Sequence, residues 1–583
     1  MQKSEAIPQS RRPIPLTFIL MAALMVHVPL LLMKLPLKSY DTNFHIFFAS
    51  HYVHHWFDPW NTKWYAGFSQ TTYPPLPQQW VAVISHVLGL DYAYMAVQLA
   101  AILLLAVGVY RFSLLWVTPR VASFAALASV FLGSESFLVY CAGQLGTTAA
   151  APIYLNALPF LFEWIRFARW RAFFKASLLF TAAAAAHHAT LLFGSFFFAL
   201  PVIALAIMER NEGEKSSTAA LIARTVGIVV LVTALIAVVL LPFWIDLIHY
   251  PVTQTPIPHP SRANYILSPQ WGMNYFIVPY GAVVLAFPFI FLRGAAVRRL
   301  RPLLLGFWVA FLVGLGGTTP VGQLLLGRAF EVITMERFSY WATLLSLPFL
   351  GLLVSELIDR FRIPAVVCLT VLAAATCALA VGWSTFHPPD AEDYKVNSVA
   401  DWLNRDGHDQ YRYVTLGFGN KISRLAMLTD ANSVDGEWNS GRMLPELTAH
   451  GAGALTISKY FGKNGIDALR AMLEHADHYG LKWVFVRDPY YDPLLAFAGW
   501  RPVDSLEDRT ITIWSKDGIP PATPLNAPQI PPHWQGLMWG TLPFGSSILA
   551  LLVLLIPERR PLESRVSYPF PAEEDLVPGR LAS

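Results

Sequence analysis

The 583-residue chain reads as an all-α polytopic membrane protein with an inserted α/β domain, and three observations predict it. Apolar residues make up 55% of the sequence and charged residues only 14%, against about 25% charged in ordinary globular chains. Twelve apolar runs recur along it, most of them close to the roughly 20 residues that cross a bilayer as a helix. One long hydrophilic stretch interrupts the series, and its periodicity is mixed rather than purely helical. The first observation excludes a disordered, fibrous or ordinary cytosolic protein of this length. A formal charge of +4, scattered along the chain, leaves no nucleic-acid footprint. Cys141, Cys368 and Cys377 all sit in apolar runs, so no disulfide framework is expected.

The elements follow in order. The run 14–33 comes after Lys3, Arg11 and Arg12 and has the outline of a signal peptide, but its length and the lack of a small-x-small cleavage site make it a retained anchor. Further spans are expected at 92–110, 121–140, 147–165, 174–187, 189–208, 223–247, 273–292, 302–317, 340–358, 363–384 and 536–556. The pair 174–187 and 189–208 forms a hairpin with His187 and His188 at its tip, the first arm being short for a full span. With the N-terminus in the cytoplasm, segments on that side carry 22 Lys and Arg, the short loops opposite carry six, and one large domain holds the other 14. The positive-inside rule therefore places both termini in the cytoplasm.

Three regions result. Residues 1–385 form the transmembrane module, including a first outer loop at 34–91. Residues 386–533 form an extracytoplasmic α/β domain with 19 acidic and 14 basic residues, and 534–583 hold the last span and a cytoplasmic tail. Within the domain, 411–417, 482–486 and 510–514 read as strands, while Ile466, Leu469, Met472, Leu473 and Ala476 form a helical apolar stripe. Ile519 to Pro532 is a Pro-rich stiff tether. No internal repeat is visible, which weakens a secondary-transporter reading.

The densest chemistry lies in the first outer loop. Asp41 falls about one short turn beyond the first span, and His45 is its i+4 neighbour on a helix. His51, His54 and His55 follow, then Trp56, Asp58-Pro-Trp60, Trp64-Tyr-Ala-Gly67 and Tyr73-Pro-Pro-Leu76. His51 and His55 have metal-ligand spacing, but no zincin glutamate accompanies them; an interfacial His and Trp cluster explains them equally.

Asp-x-x-x-His after the first span, with Trp and Gly ahead of Tyr-Pro-Pro-Leu, resembles the bacterial membrane proteins named for a "6-pyruvoyl-tetrahydropterin synthase-related" domain. Those proteins are similar to polyprenyl-phosphate-sugar-dependent glycosyltransferases of the GT-C superfamily. Gly143-Gln-Leu-Gly146, His187-His188-Ala-Thr-Leu, Glu336-Arg337-Phe338 and Tyr479 to Val486 followed by Gly499-Trp500 extend the likeness over most of the chain. One departure stands out: the family often has an acid after the Gly143-type glycine, where this chain has Gln144.

The resemblance implies a GT-C-like fold in a bacterial inner membrane and an inverting sugar transfer at its outer face. The partners would be a polyprenyl-phosphate-linked donor and a glycan, lipid or protein acceptor, in cell-envelope polysaccharide synthesis. No cofactor is assigned and no metal ligands are named, a divalent ion being left open. Asp41 is read as the general base, the alternative being a plain helix N-cap. His45 would orient it or bind phosphate, against packing on aromatic neighbours. Glu135, an acid at membrane depth, is read as a second acid or acceptor contact, against a paired structural carboxylate. Arg337 would grip the lipid phosphate, against an interfacial anchor or an ion pair with Glu336. His187, His188, Trp64 and Tyr73 complete the substrate-binding set. The competing functions are a lipid or solute transporter and a non-catalytic envelope-assembly protein.

Overall fold

The computed structural model describes residues 12–210, 216–251, 259–387, 396–450, 453–525 and 530–557. Lys3 and Arg11, residues 252–258 of the Pro-rich loop, 526–529 of the tether, 388–395 at the expected start of the α/β domain and the tail from 558 lie outside the described residues.

All twelve apolar runs are helical. Among the described residues nine helices are long and apolar enough to cross a membrane. The other three are Leu16–Leu32, Trp170–Ala186 and Arg301–Gly314. At 1.5 Å per residue they measure about 26, 26 and 21 Å against a hydrocarbon core of about 30 Å. The predicted span 223–247 is in fact two helices, Thr218–Val239 and Leu241–His249, because the chain restarts at Pro242 in the second helix's first turn.

Burial sorts the spans into a centre and a perimeter. The apolar window of Leu145–Phe167 is 89% buried and that of Pro119–Ala142 78%, whereas Thr218–Val239 is 17% and Ile363–Phe386 22%. The central helix packs against Leu90–Ser113 and Trp170–Ala186. Its Pro152 and Pro159 would each leave a carbonyl unpaired. Those carbonyls belong to Thr148 and Leu155; Asn156 separately ties the helix to its neighbour, donating to the Pro152 carbonyl (3.0 Å) while accepting from Arg111 (3.0 Å). The perimeter helices instead present Val226, Val229, Val230, Val367 and Val371 outward, as lipid-facing surface requires.

Residues 396–515 carry a four-stranded sheet in the order β3-β4-β6-β5, where β3 is Arg412–Leu416, β4 Leu481–Val486, β5 Arg501–Leu506 and β6 Ile511–Ser515. β3 and β4 are parallel, the other pairs antiparallel. The helix Gly462–Glu474 buries Leu469, Met472 and Leu473, the stripe read from the sequence. The strand not anticipated is β5. It is exposed along nearly its whole length and begins Arg-Pro, so it lacks the alternation that marks a strand, and Pro is tolerated because this is the sheet edge.

The sheet domain rests on the first loop. In that loop the hairpin β1 (Trp60–Asn61) and β2 (Phe68–Ser69) and the Thr42–His54 helix share one apolar cluster with the sheet domain, centred on Phe47, Trp64, Phe68 and Val434. Ser433 N–H donates to the Lys63 carbonyl (2.9 Å) and Ala66 N–H to the Ser433 carbonyl (3.1 Å). Trp438 Nε1 donates to Thr72 Oγ1 (3.0 Å), and Asn420 to the Tyr40 carbonyl (2.9 Å).

Candidate active site

After the Leu16–Leu32 helix the chain turns through a 3-10 segment, Leu35–Lys38, and runs along the end of the Pro119–Ala142 span. There Tyr40 N–H donates to the Cys141 carbonyl (3.0 Å) and Asp41 N–H to the Ala142 carbonyl (2.9 Å). Helix ends leave carbonyls without intrahelical partners, and here Leu138–Ala142 is a π-turn closed by Gly143 at φ 70°. Glycine is needed at 143 on two counts. The backbone is left-handed, and a Cβ would run into Ser39 Oγ and Thr42.

Asp41 thus arrives at the N-cap of the Thr42–His54 helix, where an aspartate ordinarily accepts a hydrogen bond from the helix's first turn. It makes no such bond. The half-buried carboxylate is pushed up to about 7 by burial; the Arg337 charge opposes that rise and Glu336 adds to it. One turn on, His45 is buried, and burial with the nearby Arg337 charge pushes its imidazole down to about 3, so it is neutral. The Gln78 amide fits best with its oxygen accepting from His45 Nδ1 (2.8 Å) and its nitrogen donating to the Pro74 and Pro75 carbonyls (3.2 Å each). That network assigns the imidazole proton to Nδ1 and leaves the Nε2 lone pair available.

Tyr73 packs edge-on against both Phe44 (5.5 Å between ring centroids) and Trp438 (4.9 Å), which stack on each other (5.5 Å). Its hydroxyl and His187 both close on Gly146, where a Cβ would lie 2.8 Å from Tyr73 Oη and 3.3 Å from His187 Cδ2. His187 is buried with Nδ1 on Thr190 Oγ1 (2.8 Å). His188 lies against Phe243 (4.9 Å).

Arg337 is the second residue of the Glu336–Phe361 helix. Its Nε donates to Gln144 Oε1 (3.0 Å), and Gln144 Nε2 donates to Glu336 Oε1 (2.5 Å), which Thr334 Oγ1 also reaches. Among the described residues no ion pair joins Glu336 to Arg337; an amide stands where the sequence allowed a salt bridge. The charge of Arg337 is felt at Asp41, His45, Tyr73, His187 and His188. These five, from three separate stretches of sequence, are therefore brought together around one guanidinium.

Two predicted residues are not. Glu135 is 1% exposed, with Tyr340 as the polar side chain beside it and neither carboxylate oxygen in a well-formed hydrogen bond. Its neighbours Ser134 and Thr343 bond to each other (2.6 Å). It lies in the interior of the bundle and does not join the Arg337 group. Trp64 is 0% exposed. It stacks on Phe47 (4.0 Å) and packs against Gly436, so it is a core residue holding the first loop to the sheet domain, out of reach of a substrate. His51 Nε2 bonds the Asp58 carbonyl (2.7 Å) and its ring stacks on His55 (5.0 Å). Among the described residues no group of three or more His, Cys, Asp or Glu is arranged to hold a metal. Gln144 and Trp438 are the site neighbours that the sequence does not bring to this corner: Gln144 reads only as a departure from a pattern, and nothing local in the sequence places Trp438 at Tyr73.

No family model matches the chain, and no curated protein does. Solved structures do. Arabinofuranosyltransferase AftD from Mycobacteria aligns over 88% of this chain at 14% identity and TM-score 0.51; this chain spans 40% of that protein's length. The apo oligosaccharyltransferase of Archaeoglobus fulgidus aligns over 83% of this chain and 70% of its own at 12% identity and TM-score 0.52. ArnT from Cupriavidus metallidurans, bound to undecaprenyl phosphate, aligns over 87% and 99% at 12% identity and TM-score 0.52. At such identities the likeness is one of fold, and the fold is the GT-C-like membrane architecture.

Proposed function

We propose that the chain is an inverting membrane glycosyltransferase that moves a sugar from a polyprenyl-phosphate donor to an acceptor hydroxyl at the outer face of a bacterial inner membrane. Asp41 takes the acceptor's proton as its oxygen attacks the anomeric carbon. The bond from that carbon to the phosphate oxygen breaks, and polyprenyl phosphate leaves with its charge held by Arg337. The observation that carries this reading is the Asp41 carboxylate, uncapped, half-buried and opposite Arg337. A base is most effective when its pKa lies near the working pH, and Asp41, at about 7, meets that condition.

Other features support the same chemistry. His45 is neutral at working pH, and with Tyr73 and His187 it offers polar atoms without a further full charge to compete for the phosphate. Arg matches phosphate oxygens with a planar fork. The GT-C-like fold is shared with ArnT, solved with undecaprenyl phosphate, and with an oligosaccharyltransferase. The outer-face assignment rests on the 22-to-six imbalance of Lys and Arg, and the narrower "6-pyruvoyl-tetrahydropterin synthase-related" likeness on the first-loop motifs. No cofactor enters the reading.

The test is to incubate the purified protein in lipid nanodiscs with a panel of radiolabelled polyprenyl-phosphate sugars and membrane extract as acceptor source. The expected result is label leaving the lipid fraction for one of them. Retention of label by every donor would overturn the proposal.

A further inference from the structure

The surroundings of Gln144 dictate which way its amide points. The residue is buried and its backbone is tied at both ends: its N–H donates to the Leu138 carbonyl (3.0 Å), and its carbonyl accepts from Thr148 N–H (3.1 Å). Of its two amide groups, the oxygen faces only donors, Arg337 Nε (3.0 Å) and Thr147 Oγ1 (3.3 Å), and the nitrogen faces the Glu336 carboxylate (2.5 Å). Turned over, it would set oxygen against carboxylate and NH2 against guanidinium. The hydrogen bonds alone therefore fix the orientation.

The amide holds a guanidinium and a carboxylate that are consecutive in sequence without letting them pair. A carboxylate bonded to Arg337 would neutralise the cation locally and weaken its hold on any other anion. The neutral amide oxygen instead accepts from Nε and leaves the two terminal amines of the fork uncommitted, since no described residue bonds them. On Glu336, Gln144 and Thr334 meanwhile both bond Oε1, and Oε2 is buried without a hydrogen-bond partner among the described residues.

We infer that Gln144 is a positioning residue: it fixes Arg337 through Nε and keeps Glu336 from pairing with it, so that the terminal amines stay available to an isoprenyl phosphate. This rests on the reading of Arg337 as the phosphate ligand.

The test measures the Kd of the full-length protein for undecaprenyl phosphate in detergent micelles, with donor KM and kcat alongside. Two variants separate positioning from mere polar satisfaction. Gln144→Glu puts a carboxylate on Nε, and the double variant Gln144→Glu with Glu336→Gln exchanges acid and amide. The exchange keeps the amide–carboxylate bond, reversed in direction with Thr334 Oγ1 turning from donor to acceptor, and keeps the net charge, but moves the negative charge onto Arg337. The expected result is a Kd raised about tenfold or more in both, with donor KM rising likewise and kcat within a few-fold. Wild-type affinity in the double variant would overturn the inference, because Gln144 would then only be filling hydrogen bonds. The double variant also keeps the question answerable if two adjacent buried acids prevent the single variant from folding. Arg337→Ala is the separating control. Weakened binding there with wild-type binding in the double variant removes the role of Gln144 alone, whereas unchanged binding in Arg337→Ala removes the phosphate reading itself.

Discussion

Asp41 and Glu135 are both acids that the chain withdraws from water, and they are withdrawn into different company. Asp41 lies at the end of the bundle beneath the sheet domain, half-buried, with an arginine opposite and a neutral histidine one turn away. Glu135 lies inside the bundle at 1% exposure, with the Tyr340 hydroxyl beside it and, among the described residues, no cation acting on it. Burial of a carboxylate is costly in both places. The difference teaches that cost alone does not mark chemistry: a reacting acid also needs a partner charge, and of the two only Asp41 has a cation acting on it.

The widest separation between the two should appear in turnover. Asp41→Asn is expected to lower kcat/KM for lipid-linked donor by about 10²–10⁴-fold, while Glu135→Gln stays within about threefold; comparable losses in both would erase the distinction. Next comes the partner charge. Arg337→Ala should raise the Kd for undecaprenyl phosphate by about 10–100-fold, with Arg337→Lys recovering part of it because Lys keeps the charge and loses the fork. Glu135→Gln should leave that Kd unchanged.

Stability gives a smaller and opposite signature. The folded-state pKa of Asp41 is raised from 3.8 to about 7. The folded state therefore loses stability as pH rises from about 4 through about 7, by at most about 1.4 kcal/mol per pH unit. Asp41→Asn removes that loss and should raise Tm by about 1–3 °C at pH 8 but not at pH 4, a gain in stability accompanying a loss of activity. The smallest effect calibrates the scale with an acid already paired. Asp91 holds Arg424 of the sheet domain (2.7 Å) and Lys34 (3.3 Å) at a partly exposed joint. Asp91→Ala should cost no more than about 1 kcal/mol in thermal or denaturant unfolding.

Much of this was legible in the sequence, and the gaps have physical causes. Apolar runs became helices because a lipid-facing backbone must satisfy its own hydrogen bonds. β3, β4 and β6 were readable because their residues are apolar and buried, whereas β5, exposed and opening with Arg-Pro, carried no pattern. Asp41, His45 and Tyr73 were found together because they are close in sequence. His187 and Arg337 reached the same place only through motif likeness. Trp64 misled because an aromatic that anchors a domain and one that stacks on a sugar look alike in sequence; only its burial against Phe47 and Gly436 tells them apart. Glu135 misled for the reason the opening contrast gives. Gln144 could be noticed as a departure, but its role depends on two residues nearly 200 positions away, a relation no local pattern encodes.

The most direct test of Asp41 as the base is the pH dependence of kcat/KM for sugar transfer by the wild-type protein. With a raised pKa of about 7, the logarithm of kcat/KM should climb with unit slope from pH 5 and level off above about 7, as the carboxylate becomes free to accept a proton. A profile already flat from pH 5 upward would contradict the account, because no carboxylate titrating near neutrality would then take part in the reaction.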